Sequence, residues 1–321
     1  MPPSRRAVID IGTNSIKLLV ADVQGSEVQP VVEESKQTRL GHGFYETRRL
    51  QPEAILQTAK AVADFAQRAR EEGALSVGAF ATSAARDATN GDELLSSVRS
   101  ASGLSVEIIS GEREADWVFQ GITSDPQFAA GPLLLLDVGG GSTEFILGEG
   151  KQKHFQQSFA LGTVRLMEKM TQSDPPTPRE LAACRAWLKH FLEVEVRPQL
   201  KPAIDREVSI HSSAAKLQLV GTGGTTSILA RMEAKLEAYD RAAIEGVRLK
   251  ASRLRWHVNH LWSLPLEERK KVVGLPKSRA DVILTGAAIF EAIMDQFGFK
   301  ELRISTRGLR FAALLQADGA A

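Results

Sequence analysis

The feature that most restricts the fold is an internal echo. The chain reads Ala7-Val8-Ile9-Asp10-Ile11-Gly12-Thr13-Asn14-Ser15-Ile16-Lys17-Leu18-Leu19-Val20 near its start. Much later it reads Leu135-Leu136-Asp137-Val138-Gly139-Gly140-Gly141-Ser142-Thr143-Glu144-Phe145-Ile146-Leu147. Each stretch has an apolar strand, an Asp, one apolar residue, a small Gly/Ser/Thr turn and a second strand. The interval between the two Asp residues is domain-sized rather than solenoid-sized. The pattern predicts two β-hairpins, each opening one of two similar α/β halves.

The remaining periodicity supports alternation of helices and strands. Ile55, Ala59, Val62 and Phe65 fall at helical spacing over 52–72, with Gly73 as a stop. Strands are expected over 77–81 and 106–109, and helices over 92–100 and 112–121. Pro126, Gly131 and Pro132 mark 122–132 as a boundary. Beyond it, helices are expected over 179–196, 227–238, 251–261, 280–297 and 309–316, and strands over 217–220 and 302–305. This alternation predicts an α/β protein with central sheets. The expected domains are 1–127 and 128–321, with the last helix, about 306–321, packing back on the first lobe.

Composition narrows the function. With 321 residues the chain suits two α/β domains, and a formal charge of +1 gives no bulk basic field for nucleic acid. Cys184 is the sole cysteine, which excludes an intramolecular disulfide or a multi-thiolate zinc site. No stretch approaches the ~18 apolar residues of a membrane helix. The expectation is a cytoplasmic enzyme with no membrane partner.

Three glycine-rich loops follow apolar strands: Gly12 to Ser15, Gly139 to Thr143, and Gly221 to Thr226. Such loops turn backbone N–H groups toward one point, and Ser/Thr hydroxyls add donors. There is no Gly-Lys-Ser/Thr, so no P-loop. The first two loops lead into strands, which excludes the dinucleotide fingerprint. Only the third opens a helix, whose N-terminus favours anions. Asp10 and Asp137 face the first two loops, and Glu144 lies on the returning strand. Hard oxygen ligands of this kind suit Mg²⁺, the reading favoured for Asp137, while turn capping is the alternative for both Asp10 and Asp137. Arg86, at the mouth of a strand, fits a phosphate clamp or a surface ion pair with Asp87 or Asp92. Glu112 and Glu114 begin a helix, where the helix dipole alone accounts for acidic residues. His257 and His260 are three apart on a helix, but no third metal ligand follows with suitable spacing.

Together these residues resemble the exopolyphosphatase / guanosine pentaphosphate phosphohydrolase family, from Ala7 to about Leu315. The most specific parts are Ile9 to Ser15, Ile109-Ser110-Gly111-Glu112-Arg113-Glu114-Ala115, and Leu136 to Glu144. The resemblance implies a two-domain actin-like, sugar-kinase-like ATPase fold, with two ribonuclease-H-like lobes around a cleft. It further implies Glu114 as catalytic base and Asp137, Glu144 and Asp10 as the acidic set for Mg²⁺, with Mn²⁺ able to substitute. The phosphate-binding positions would be Asn14, Ser15, Arg86, Gly139, Gly140, Gly141, Ser142, Thr143, Gly223, Gly224 and Thr225. The substrate would be inorganic polyphosphate or guanosine pentaphosphate, and the expected assembly is a homodimer. A small-molecule kinase or a non-catalytic phosphate sensor are the rival classes.

Three departures stand out. Asp116 occupies a place where the family usually has Arg, and Phe311-Ala312 replaces the usual Glu-Gly. The chain stops at 321, short of the helical C-terminal domains of longer relatives, so efficient cleavage of short chains is expected.

Overall fold

A computed structural model describes residues 2–210 and 216–316. Among the described residues, eleven strands and their helices divide between two compact units. One unit runs to Ser124 and resumes at Arg307; the other spans Asp125–Thr306.

The first unit contains β1 (Ser4–Ile11), β2 (Ser15–Gln24), β3 (Glu27–Gln37), β4 (Ser76–Ala81) and β5 (Val106–Ile108). Its helices are α1 (Phe44–Thr47), α2 (Pro52–Glu71), α3 (Ser83–Asp87), α4 (Gly91–Ser102) and α5 (Gly111–Thr123). The sheet order is β3-β2-β1-β4-β5, with β1, β4 and β5 parallel. Ile55, Ala59, Val62 and Phe65 of α2 pack with Ile9, Ile11, Ile16 and Leu18 from the sheet in one buried cluster. Burying one such side chain is worth about 1.5–3 kcal/mol, so the 3.6-residue spacing sets which face of α2 turns inward.

The second unit contains β6 (Leu133–Val138), β7 (Thr143–Glu149), β8 (Gln152–Phe159), β9 (Gln218–Thr222), β10 (Arg248–Lys250) and β11 (Glu301–Ile304). Between them lie α6 (Pro126–Ala129), α7 (Thr163–Lys169), α8 (Pro178–Phe191), α9 (Arg197–Ile210) and α10 (Gly223–Glu233). The remaining helices are α11 (Arg241–Gly246), α12 (Ala251–Ser263), α13 (Leu266–Arg269) and α14 (Ile283–Phe297). The sheet order is β10-β11-β9-β6-β7-β8. Leu133 to Leu136 are all fully buried, as a central strand covered on both faces requires.

Each predicted hairpin is extended to a three-stranded meander. The third strands, β3 and β8, are sheet edges with polar sequences, and no alternation of apolar residues announces them. The helix expected over 179–196 is also longer in effect. A π-helical turn at Leu192–Val196 joins α8 to α9, which carries Pro202 in its interior. Proline removes a backbone donor from a helix interior, yet α9 continues past Pro202. Helix α10 starts at Gly223, inside the third glycine loop, and ends at Glu233, five residues before the expected stop.

The last helix, α15 (Leu309–Gln316), belongs to the first unit and packs against α5. A β-carbon at Gly121 of α5 would lie 2.1 Å from the Gly308 carbonyl oxygen, so the chain there passes with room for glycine alone. Residues 317–321 of the predicted terminal segment lie outside the described residues. Among the described residues, no helix is long and apolar enough to cross a membrane.

Candidate active site

The predicted residues fall into two sets, one in each unit, at the C-terminal ends of parallel strands. That edge is where open α/β sheets bind ligands.

In the first unit, β1 ends in the Gly12–Ser15 loop, β4 leads into α3, and β5 leads into α5. The loop is clasped from one side by the segment after β3. Gly41 N–H donates to Thr13 O at 2.7 Å, and the Thr38 and Arg39 N–H groups donate to Asn14 O at 3.2 and 3.0 Å. A trans peptide holds its C=O and N–H antiparallel. Fixing those two carbonyls therefore turns the Asn14 and Ser15 N–H groups toward the opposite side. The Asn14 side chain is 7% exposed; Gln37 donates to its Oδ1, while its Nδ2 is buried without a hydrogen-bond partner. Such an orphaned donor is costly unless an acceptor arrives. Asp10 lies directly opposite Lys17 across β1–β2, with Nζ 3.6 Å from its Oδ2.

Helix α5 is capped at its start by Ser110, whose Oγ accepts the Arg113 N–H. Glu112 is exposed and Glu114 is buried. Two positions on a helix diverge by about 200°, so only one can turn inward. Arg86 Nη1 donates to Glu114 Oε2 and to Ile109 O, each at 3.0 Å, while its Nε stands 3.9 Å from Asp87. The surface pair with Asp87 is thus present, and beside it Arg86 fixes a buried carboxylate.

In the second unit the same construction recurs with different chemistry. The Gly139–Thr143 loop is clasped by the start of α7. Thr163 N–H donates to Gly139 O, and the Val164 and Arg165 N–H groups donate to Gly140 O at 2.9 and 3.1 Å. The Arg165 Nε–H takes Gly141 O at 2.8 Å, and the Thr143 hydroxyl donates to Leu161 O at 2.5 Å. With three successive carbonyls held, the N–H groups of Gly140, Gly141 and Ser142 share the other side, an anion-binding nest. Gly162 makes the clasp possible, since a β-carbon there would lie 2.4 Å from Gly140 O.

Asp137 lies directly opposite Glu144 across β6–β7, so both carboxylates stand on one face of the hairpin. Glu144 is 1% exposed, and its Oε1 accepts the hydroxyls of Ser142 and Ser158, each at 2.8 Å. Like charges directly opposite on a sheet destabilise it. The Asp137 carboxylate also rests against Gly223, where φ is +88° and a β-carbon would come within 2.5 Å of Oδ1. The left-handed turn and the close approach both demand glycine here.

Gly223, Gly224 and Thr225 form the first turn of α10, whose N–H groups have no intrahelical acceptor. A β-carbon at Gly224 would meet Arg279 Nη2 at 2.4 Å, so that guanidinium lies over the same turn. Thr225 packs against Gly286 of α14. Arg165 and Arg279 escaped the sequence reading. Arg279 sits in a short turn among ordinary charges, and Arg165 follows the unremarked Leu161-Gly162-Thr163. The one available signal was Gly162, a glycine before a helix with no cap to explain it.

Among the described residues, no three His, Cys, Asp or Glu side chains come together as a metal-ligating group. His257 instead meets Glu233, with Nε2 2.7 Å from Oε2, and His260 stacks on Trp256. Burial pushes the His257 imidazole below its ordinary value.

Comparison with known proteins bears on this arrangement. The model of the Ppx/GppA phosphatase family matches residues 19–317. Exopolyphosphatase 2 of Mycobacterium tuberculosis is 35% identical over 332 residues, covering 99% of this chain and 100% of that protein. The crystal structure of the Aquifex aeolicus Ppx/GppA family member superposes with a TM-score of 0.75 at 30% identity, over 99% of this chain and 98% of that one. An exopolyphosphatase from Cytophaga hutchinsonii gives a TM-score of 0.85 at 26% identity, with 99% of each chain covered. The fold is the actin-like, sugar-kinase-like α/β architecture that the resemblance implied.

Proposed function

The chain belongs to the Ppx/GppA phosphatase family, and from that premise we propose that it is an exopolyphosphatase, a phosphoric anhydride hydrolase releasing terminal phosphate from inorganic polyphosphate. The observation that carries the reading is the Asp137–Glu144 pair, set on one hairpin face beside a loop whose N–H groups turn together.

The donor set fits Mg²⁺, with Mn²⁺ as a substitute. Two carboxylates are too few for an all-protein cage, and Mg²⁺ commonly takes one or two carboxylates plus waters and substrate phosphates. Asp137 and Glu144 would hold it, Glu144 being oriented by Ser142 and Ser158. When bound, the ion neutralises phosphoryl oxygens as a Lewis acid.

The chain's own groups do the rest. Gly140, Gly141 and Ser142 N–H groups, with the first turn of α10 and Arg279, receive the oxygens of the phosphate chain. Asn14 and Ser15 offer the equivalent donors of the first unit. Glu114, held by Arg86, takes a proton from water as its oxygen bonds to the terminal phosphorus. The P–O anhydride bond breaks, and the shortened chain leaves with the electron pair. Its leaving oxygen is a phosphate, so it needs little protonation.

Affinity arises from few local contacts on a chain of formal charge +1. Release from long polyphosphate is therefore distributive, and short chains are good substrates. The test is orthophosphate release from polyphosphates of graded length, beside guanosine pentaphosphate, with Mg²⁺ and with excess chelator. Release from polyphosphate that stops with chelator supports the reading. Hydrolysis of guanosine pentaphosphate alone, or full activity in chelator, would overturn it.

A further inference from the structure

The two hairpins are register-equivalent but electrically opposite. Each places an Asp at the penultimate position of its first strand, Asp10 in β1 and Asp137 in β6. Each Asp is paired with the residue seven further on, directly across the turn: Asp10 with Lys17, Asp137 with Glu144. In the second hairpin the partner doubles the negative charge. In the first it cancels it, with the Lys17 ammonium 3.6 Å from the carboxylate of an Asp10 side chain that is 8% exposed.

From this we propose that Lys17 is a built-in cation that replaces a divalent ion at the first hairpin, so that the protein binds a single divalent ion, at Asp137 and Glu144. This rests on the metal reading above and deepens it, because Asp10 is removed from the ligand set. The physics is a matter of exclusion. A buried carboxylate already paired with an ammonium gains little from a second cation, which would have to approach Lys17 as well. Mg²⁺ parts with its waters reluctantly, so a half-neutralised monodentate site cannot repay the loss. A fixed ammonium also costs no ion from solution. It keeps the charge of the first loop constant whatever the metal concentration, while the Asn14 and Ser15 N–H groups remain turned toward the other side.

The experiment is a Mn²⁺ titration of the full chain followed by electron paramagnetic resonance, reading bound ion rather than activity. The wild type should bind one Mn²⁺, lost in Asp137→Asn and retained in Asp10→Asn. Lys17→Glu recreates the doubled acid of the second hairpin and should bind two, the second depending on Asp10. Circular dichroism of Lys17→Glu reports whether it folds, and if it does not, the wild type and Asp10→Asn decide the matter. Two ions in the wild type, one of them lost in Asp10→Asn, would overturn the proposal. So would a folded Lys17→Glu that still binds one. No ion bound in the wild type would instead break the metal reading on which the proposal stands.

Discussion

The two meanders of this molecule share a backbone plan and differ in what they ask of a ligand. β1–β2 closes on an acid–base pair, clasped by residues 38–41, and is electrically complete. β6–β7 closes on two acids, clasped by residues 161–165. The first unit adds a buried glutamate pinned by an arginine, and the second adds a helix N-terminus under Arg279. On the proposed reading, the repeated fold divides the chemistry, with proton transfer in one unit and charge neutralisation in the other.

The largest effect should come from separating those labours. Glu114→Gln keeps the shape and the Arg86 contact but removes the basic oxygen, and a positioned base is worth ~10²–10⁴ in rate. Its kcat should fall within that range while the Mg²⁺ concentration for half-maximal rate stays unchanged. Glu112→Gln, on the exposed face of the same helix, should stay near wild type. Near-normal turnover in Glu114→Gln, or damage from Glu112→Gln, would reassign the base.

Asp137→Asn should do the reverse. Loss of even an outer-shell partner typically costs about 10–100-fold in metal affinity, so loss of a ligand carboxylate should raise the Mg²⁺ requirement by at least that order. Asp10→Asn should leave the requirement within about threefold, since its partner is Lys17. Equal metal phenotypes in the two variants would erase the contrast between the hairpins.

A subtler comparison concerns the clasps. A β-carbon at Gly41 would press on the Thr13 side-chain methyl at 2.3 Å, whereas at Gly162 it would strike backbone of Gly140 and Gly141 at 2.4 to 2.5 Å. A methyl can rotate away, but a peptide cannot. Gly162→Ala should therefore cost about 1–3 kcal/mol of stability and lower kcat/KM by up to ~10²-fold. Gly41→Ala should cost under about 1 kcal/mol. Thermal melts and steady-state kinetics on both would show whether the second loop is the less forgiving.

The smallest effect lies away from both loops. His257, on α12, titrates below its ordinary 6.5 because burial disfavours its charge. Burial raises Glu233, but hydrogen bonds from Arg253 and His257 outweigh it and bring the carboxyl below its ordinary 4.5. In both cases the unfolded chain binds protons more readily than the folded one. Stability is therefore full above pH 6.5, declines as His257 must be charged, and declines further below pH 4.5. His257→Gln should flatten the upper part of that decline in Tm measured against pH. A Tm that rises on acidification through this window would refute the sign.

What the sequence by itself determined is whatever nearest neighbours settle. Alternating apolar runs, Asp at a strand end and glycines in a tight turn marked both hairpins, the three loops and the α2 face, because strand, turn and helix preferences act over a few residues. Only the tertiary structure decided which way those loops face. The Asn14 carbonyl is held by residues 38 and 39, and the Gly139 to Gly141 carbonyls by residues 163 to 165, more than twenty positions away. The same holds for Arg86 on Glu114, for Arg279 over Gly224, and for the edge strands β3 and β8. A loop's composition permits its N–H groups to converge, but a peptide plane is turned only when a distant donor takes its carbonyl, and that donor is brought there by the packing of the sheet.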